Sequence, residues 1–199
     1  MPTPTTLRAG KAGDSTAAYW ADKQGYIVKF THQPTGHIVE FPATLQSFSD
    51  THTPKYSEQY GADTMDPTII LSSTDRNVSF SFTVLNSSLE EARHNTQCVN
   101  LLIQMLYPLL DSDGTILGNP YITIEVMNLA QSAVDSSGIL CIIDSIDYDM
   151  QLKDGVISHD NGELHPISLE ISISATAVLE RDAKNSSTFL PNTYPSYGG

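Results

Sequence analysis

Between residues 165 and 182 the chain reads HPISLEISISATAVLERD, and from Ile167 onward every second residue is apolar: Leu169, Ile171, Ile173, Ala175, Ala177 and Leu179. Ser168, Glu170, Ser172, Ser174 and Thr176 stand between them. Side chains alternate across a β-strand, so this pattern demands one dry face and one wet face. At about 3.3 Å per residue the run reaches roughly 45 Å, far beyond the usual strand of about five or six residues. Whatever the chain folds into must bury that dry side along its length and leave a long wet side over.

The remaining elements follow from the same reading. NVSFSFTVL sets Val78, Phe80, Phe82 and Val84 against Ser79, Ser81 and Thr83, a second half-buried strand. YIVKFTHQPTGHIVEFPATLQSFSD gives two β-rich runs around a turn at Gln33-Pro34-Thr35-Gly36, and Pro42 puts part of the second run at an edge or bulge. THTPKYSEQYGADTMDPT reads as a long polar loop, TIILSS as a short strand, and Ser73–Arg76 as a turn. Ser88-Leu89-Glu90-Glu91 is a capping box, after which Leu89, Ala92, Val99, Leu102, Ile103 and Leu106 recur at helical spacing and stop before Pro108. YITIEVMNL is a strand. In GILCIIDSIDYDMQL the apolar positions change face around Asp144-Ser145, which predicts a bulge or bend.

The expected fold is therefore mainly β, a sandwich or barrel flanked by one helix. Residues 1–24 read as a flexible arm or an extended segment that orders only against a neighbour, 25–182 as the β domain and 183–199 as an irregular extension. A formal charge of −13 and a pI near 4.6 argue against a phosphate-binding surface, since nucleic-acid affinity rests on Lys and Arg. No apolar run approaches the roughly 20 residues that span a bilayer, so no membrane partner is expected. The N-terminus lacks the apolar core of a signal peptide, which points to folding in a cytoplasm. Cys98 and Cys141 lie in apolar surroundings and read as buried, reduced thiols.

Chemistry-bearing residues are few. DSDG at 111–114 lacks the further ligands of a calcium loop and reads as a turn. His159, Asp160, Glu163 and His165 cluster, but Asn161-Gly162 between them marks a hairpin-like turn and a solvated loop. On an uninterrupted strand Asp147 and Asp149 share one face and Asp144 takes the other, an acidic strip rather than a catalytic pair. His52 and His94 have no Ser or Cys partner in a recognisable frame. No cofactor and no metal is expected, and the chain reads as a non-enzyme. Trp20 fits either a neighbour's pocket or its own domain.

Taken in order, EFPATLQSFSD with its long loop, the MDPT turn, VSFSF, the helix ending in LYP, GILCIIDSI and the closing alternating strand resemble the tube-like proteins of contractile phage tails and related injection systems, over roughly residues 38–182. The resemblance implies a virion structural protein of the tail or baseplate, assembled in the host cytoplasm as a homo-oligomer, a hexameric ring around a channel through which DNA passes without specific binding. It implies hub, tube and wedge proteins as partners, and a role in initiating the tail tube or joining the hub to it, with an ordinary tube subunit as the alternative. On that reading Trp20, Tyr56, Tyr60 and Met65 are candidate inter-subunit contacts, and Ser168, Glu170, Ser172 and Ser174 candidate lumen-facing residues. Relatives with a peptidoglycan-binding module carry it after this domain, and nothing after Asp182 reads as one. Two other classes stay open: a carbohydrate- or ligand-binding β-sandwich of the tail, and an acidic hydrolase using Asp147, Asp149 or the His159/His165 loop.

Overall fold

The computed structural model describes residues 4–10, 23, 25–42, 44–59, 68–111, 113–127, 129, 138–158 and 162–178. In chain order these form β1 (Thr6–Arg8), β2 (Ile27–His32), β3 (Ile38–Pro42), β4 (Thr44–Gln59), β5 (Thr68–Leu85), α1 (Leu89–Gln104), β6 (Leu109–Leu110), β7 (Ile116–Gly118), β8 (Ile122–Val126) and β9 (Ile139–Met150). A 3₁₀ turn (Leu152–Asp154), β10 (Val156–Ser158), β11 (Leu164–Pro166) and β12 (Ser168–Ala177) complete them. Eight strands make one mixed sheet in the order β1-β3-β2-β8-β9-β12-β5-β4, and β6-β7 and β10-β11 are two small hairpins.

The large sheet rolls over on itself. β2 and β5 are four strands apart in it, about 19 Å if the sheet were flat. Yet the Phe30 ring lies 6.3 Å from Phe80 and 6.4 Å from Phe82, and Phe41 on β3 lies 5.5 Å from Phe82. Chain connection demands the same roll: β3 and β4 hold the second and last places in the sheet, but only residue 43 separates them. No sheet closes into a barrel among the described residues, and β1 and β4 remain its margins.

The inside of the roll is the core. Alternate residues of both expected strands, Val78, Phe80, Phe82 and Val84 on β5 and Leu169, Ile171, Ile173 and Ala175 on β12, are buried there. Helix α1 contributes Cys98, Val99 and Leu102 to the same cluster. Its start is capped as expected, Ser88 Oγ accepting from the Glu91 amide at 3.2 Å. The Glu91 carboxylate reaches one residue further back than a capping box requires and accepts from the Ser87 amide at 2.8 Å. Pro42 lies beyond Glu40, the last β3 residue paired with β1, so among the described residues that stretch has no neighbour on that side.

Three expectations are corrected. Thr51–Gln59, read as polar loop, continues β4, and Thr68–Arg76, read as a strand and a turn, continues β5; together they form a two-stranded ribbon paired from Thr51↔Asn77 to Gln59↔Thr68. Among the described residues β12 pairs β5 only as far as Asn77, so the ribbon projects past it, and Pro54 is tolerated because β4 is there paired on one side only. Residues 153–166, read as one polar connection, hold the 3₁₀ turn and the β10-β11 hairpin. Thr6–Arg8, read as part of a flexible arm or of an extended segment that orders only against a neighbour, pairs parallel to Ile38–Glu40 of its own chain.

Candidate functional site

The outer face of β4, β5, β12 and β9 is paved with small polar side chains in register. One row across the four strands reads Ser47, Ser81, Ser172, Asp147; the next reads Ser49, Ser79, Ser174, Ser145; a third reads Thr44, Thr83, Glu170, Asp149. Cross-strand partners share a face, so each row forms a polar stripe. Ser47 and Ser81 link their hydroxyls at 2.8 Å, and Gln151 Nε2 donates to Asp149 at 3.1 Å and to Glu170 at 2.9 Å, tying two adjacent carboxylates together. No Lys or Arg belongs to the three rows.

A bulge adds a further carboxylate. The β9-β12 register jumps from Ser174↔Ser145 to Ala175↔Ile143, which leaves Asp144 as the extra residue. Thr176, on the wet side of β12, donates its hydroxyl to Asp144 Oδ2 at 2.7 Å. Asp144 therefore joins Asp147 and Asp149, contrary to the alternation of an uninterrupted strand, because the inserted residue inverts the count. Ser168 is the second departure from the alternation. It is buried under the 3₁₀ turn, its hydroxyl donating to Asp154, while Glu170, Ser172 and Ser174 lie on the half-open face.

The ribbon continues both faces outward. β4 has no insertion between Phe48 and Tyr56, so Tyr56 shares the side of Phe48. On β5 the register moves from Lys55↔Ser73 to Tyr56↔Leu71, which makes Ser72 an extra residue and turns Leu71 and Ile69 to the side of Tyr56. These three are 62%, 56% and 64% exposed. The core face thus runs on beyond the body largely uncovered by the described residues, while Thr51, Thr53, Lys55, Ser73, Asp75 and Asn77 extend the wet face. At the junction, inside the dry side, Arg76 Nη2 and Nε donate to Asp50 at 2.6 and 3.1 Å. Trp20, Tyr60 and Met65 lie outside the described residues.

The other candidates are structural. Glu163 takes the Arg93 guanidinium at 2.5 Å, which with that bond holds its carboxyl below the usual range, and His165 lies 3.7 Å away; His159 and Asp160 lie outside the described residues. His94 Nε2 meets the Arg8 carbonyl at 2.6 Å, and His52 meets Asp50 at 3.3 Å. Cys98 and Cys141 are free and buried, and burial pushes their thiols up to about 11 and about 12. At 111–114 the turn joins β6 to β7, Gly114 donating to the Asp111 carbonyl at 2.9 Å. Among the described residues no group of three His, Cys, Asp or Glu is arranged to hold a metal ion.

No family model matches the chain, and no curated protein matches it. Solved structures similar to it include a chain in the tail of an empty gene transfer agent particle, refined helically with C6 symmetry, 12% identical, covering 79% of this chain and 93% of that one with a TM-score of 0.34. A chain of the six-fold symmetrised anti-feeding prophage baseplate is 11% identical over 78% of this chain and 89% of its own, with a TM-score of 0.33. One from the virion of a native gene transfer agent particle is 12% identical over 78% and 93%, with a TM-score of 0.30. Likenesses at these scores do not establish a shared fold.

Proposed function

We propose that the chain is a structural subunit of the tail or baseplate of a contractile phage or related injection system, closing into a ring of six that initiates the tail tube or joins the hub to it. The observation that carries this reading is the two-faced ribbon. An apolar triad of Tyr56, Ile69 and Leu71 on the continuation of the core face has little cover among the described residues, and a neighbouring subunit supplies one. The same placement leaves the Ser/Thr/carboxylate face continuous from body to ribbon, where it lines a water-filled lumen with Glu170, Ser172 and Ser174. A lumen rich in carboxylates, whose ribbon lysine Lys55 is paired with Asp75 at 2.5 Å, repels DNA and lets it slide through. The order of sequence elements, resembling tube-like proteins, supports the same assignment.

Identical heterologous contacts that close into a ring supply the geometry. In the virion, hub, tube and wedge proteins are the neighbours. Mass photometry and negative-stain electron microscopy of the purified protein, alone and with its baseplate partners, test this. The expected particle is a ring near 130 kDa, six copies of the 21.7 kDa chain. A species that stays monomeric even with those partners overturns it. Copy number per particle separates the two roles: a handful belongs to a baseplate ring, hundreds to an ordinary tube subunit.

A further inference from the structure

Two clusters of exposed large hydrophobic side chains stand at opposite ends of β5. At the ribbon end are Tyr56, Leu71 and Ile69, with Glu58 directly across from Ile69 and so on the same face. At the other end Leu85, the last residue of β5, is exposed and pairs with Ser168, so it terminates the wet face of the strand. Its surroundings are knitted into one unit. The Ser168 hydroxyl donates to Asp154 of the 3₁₀ turn, the Gln151 amide to the Ser168 carbonyl at 3.2 Å, and the Ile167 amide to the Gly155 carbonyl at 3.2 Å. That turn and the β10-β11 hairpin bring exposed Leu152, Val156 and Leu164 to the same end of the sheet.

The strand separates the two clusters by about 45 Å, so a chain cannot lay its ribbon on its own far end. Apolar patches rimmed by polar residues mark contact surfaces, and these two differ from each other, as the halves of a heterologous contact must. Their charges match as well. Lys153, next to Leu152, is exposed and has no hydrogen-bond or ion-pair partner among the described residues, whereas Lys29, Lys55, Arg76 and Arg93 each hold a carboxylate. The ribbon cluster carries Glu58. A third exposed cluster, Leu110, Ile116 and Leu117 on the β6-β7 hairpin, has Asp111 and Asp113 in its turn and would set like charge against Glu58.

We infer that the end of the sheet formed by Leu85, Leu152, Val156 and Leu164 receives the ribbon of a second copy, with Tyr56, Ile69 and Leu71 packing on it and Glu58 facing Lys153. The inference rests on the ring assembly proposed above and names the surface of the neighbour that covers the ribbon. Each subunit gives its ribbon at one end and receives another at the opposite end, so the contact repeats in one direction from copy to copy.

The test uses full chains carrying a single added thiol, Ile69→Cys, Leu164→Cys or Ile116→Cys; Cys98 and Cys141 are buried and do not compete. Ile69→Cys is mixed in equal amounts with each of the other two, assembled with the baseplate partners and mildly oxidised, and the disulfide-linked peptides are weighed. Docking predicts a link from position 69 of one variant to position 164 of the other, since only a contact brings two thiols within bonding reach. Rings that link 69 to 116 instead, or that give no link to 164, overturn the inference and leave the assembly reading standing. Lys153→Glu, an exposed change that spares the core, gives a second measurement independent of the added thiols. The concentration at which half the chains are in rings, read by sedimentation velocity, is expected to rise about tenfold with an unchanged circular dichroism spectrum. A midpoint that does not move overturns the inference. A parent chain that forms no ring overturns both.

Discussion

Asp50 and Arg76 close the dry side of the sheet where the ribbon leaves the body, and their removal tests that account quantitatively. Arg76 donates to both Asp50 oxygens, at 2.6, 3.1 and 3.2 Å, and the side chains keep only 18% and 9% exposure. Breaking such a pair from one side leaves a poorly solvated charge, which costs about 3–5 kcal/mol when burial is complete. Because Arg76 retains some water and His52 also touches Asp50, the low end applies, about 3 kcal/mol for Arg76→Met. For a chain of this size that is roughly 6–12 °C in Tm. Replacing both members by apolar residues, Asp50→Leu with Arg76→Met, removes the desolvation cost with the attraction and is expected to fall within about 1 kcal/mol of the parent. Urea unfolding followed by circular dichroism gives all four corners of the cycle. A single replacement costing less than about 1 kcal/mol, or a double variant as unstable as the sum of the singles, refutes the argument that the pair is a buried, coupled unit.

The two faces of β5 should respond oppositely. Phe82→Ala, which removes a buried ring lying 5.5 Å from Phe41 and 6.1 Å from Phe80, is expected to cost about 3–5 kcal/mol, and Ser81→Ala on the wet face under about 0.5 kcal/mol, both read by urea midpoint. His32 is buried, its Nε2 has no hydrogen-bond partner among the described residues, and desolvation lowers its folded pKa below the ordinary 6.5. The unfolded chain then binds its proton first, so there is no penalty above pH 6.5 and a growing one as pH falls below it; Tm measured from pH 7.5 to 5.5 should drop, and less so in His32→Gln. Cys98 and Cys141, held to about 11 and about 12, should resist a thiol reagent at pH 8 until the chain is unfolded in guanidinium.

Legibility in the sequence tracks burial on one face. β12, the body of β5 and helix α1 were readable because one side of each is dry and the other wet, which stamps a period on the residues. The ribbon was not: with solvent on both sides, Thr51–Gln59 carries no enforced alternation and its polar composition imitates a loop. β1 was invisible for a different reason. Three residues have no period to show, and what holds them, the β3 edge and His94, lies 32 and 86 positions away. The bulge at Asp144 could be seen as a change of face, but its effect on which carboxylates lie together needed the register. The roll of the sheet depends on Phe30 meeting Phe80 and Phe82, a non-local choice that no local pattern records.

The bulge at Ser72 matters because it sorts the ribbon's side chains by face. Were the ladder regular there, with Ser72 opposite Tyr56, Leu71 and Ile69 would fall on the side of Asp75 and Asn77, among the hydroxyls, and Tyr56 would stand alone opposite. Inserting one serine between Lys55 and Tyr56 gives Ser72 a partner, and should therefore turn Tyr56, Leu71 and Ile69 together onto the wet side while the body, whose register is set from Thr51↔Asn77 inward, keeps its packing. The expected result is a monomer with nearly unchanged Tm that no longer forms rings with the baseplate partners. Replacing Ser72 by Thr, which preserves the count, should leave assembly intact. If the insertion variant still closes into rings, then the apolar side of the ribbon is not what joins the subunits. If it loses more than about 2 kcal/mol of stability, the projecting strands are part of the folded body rather than an extension of it.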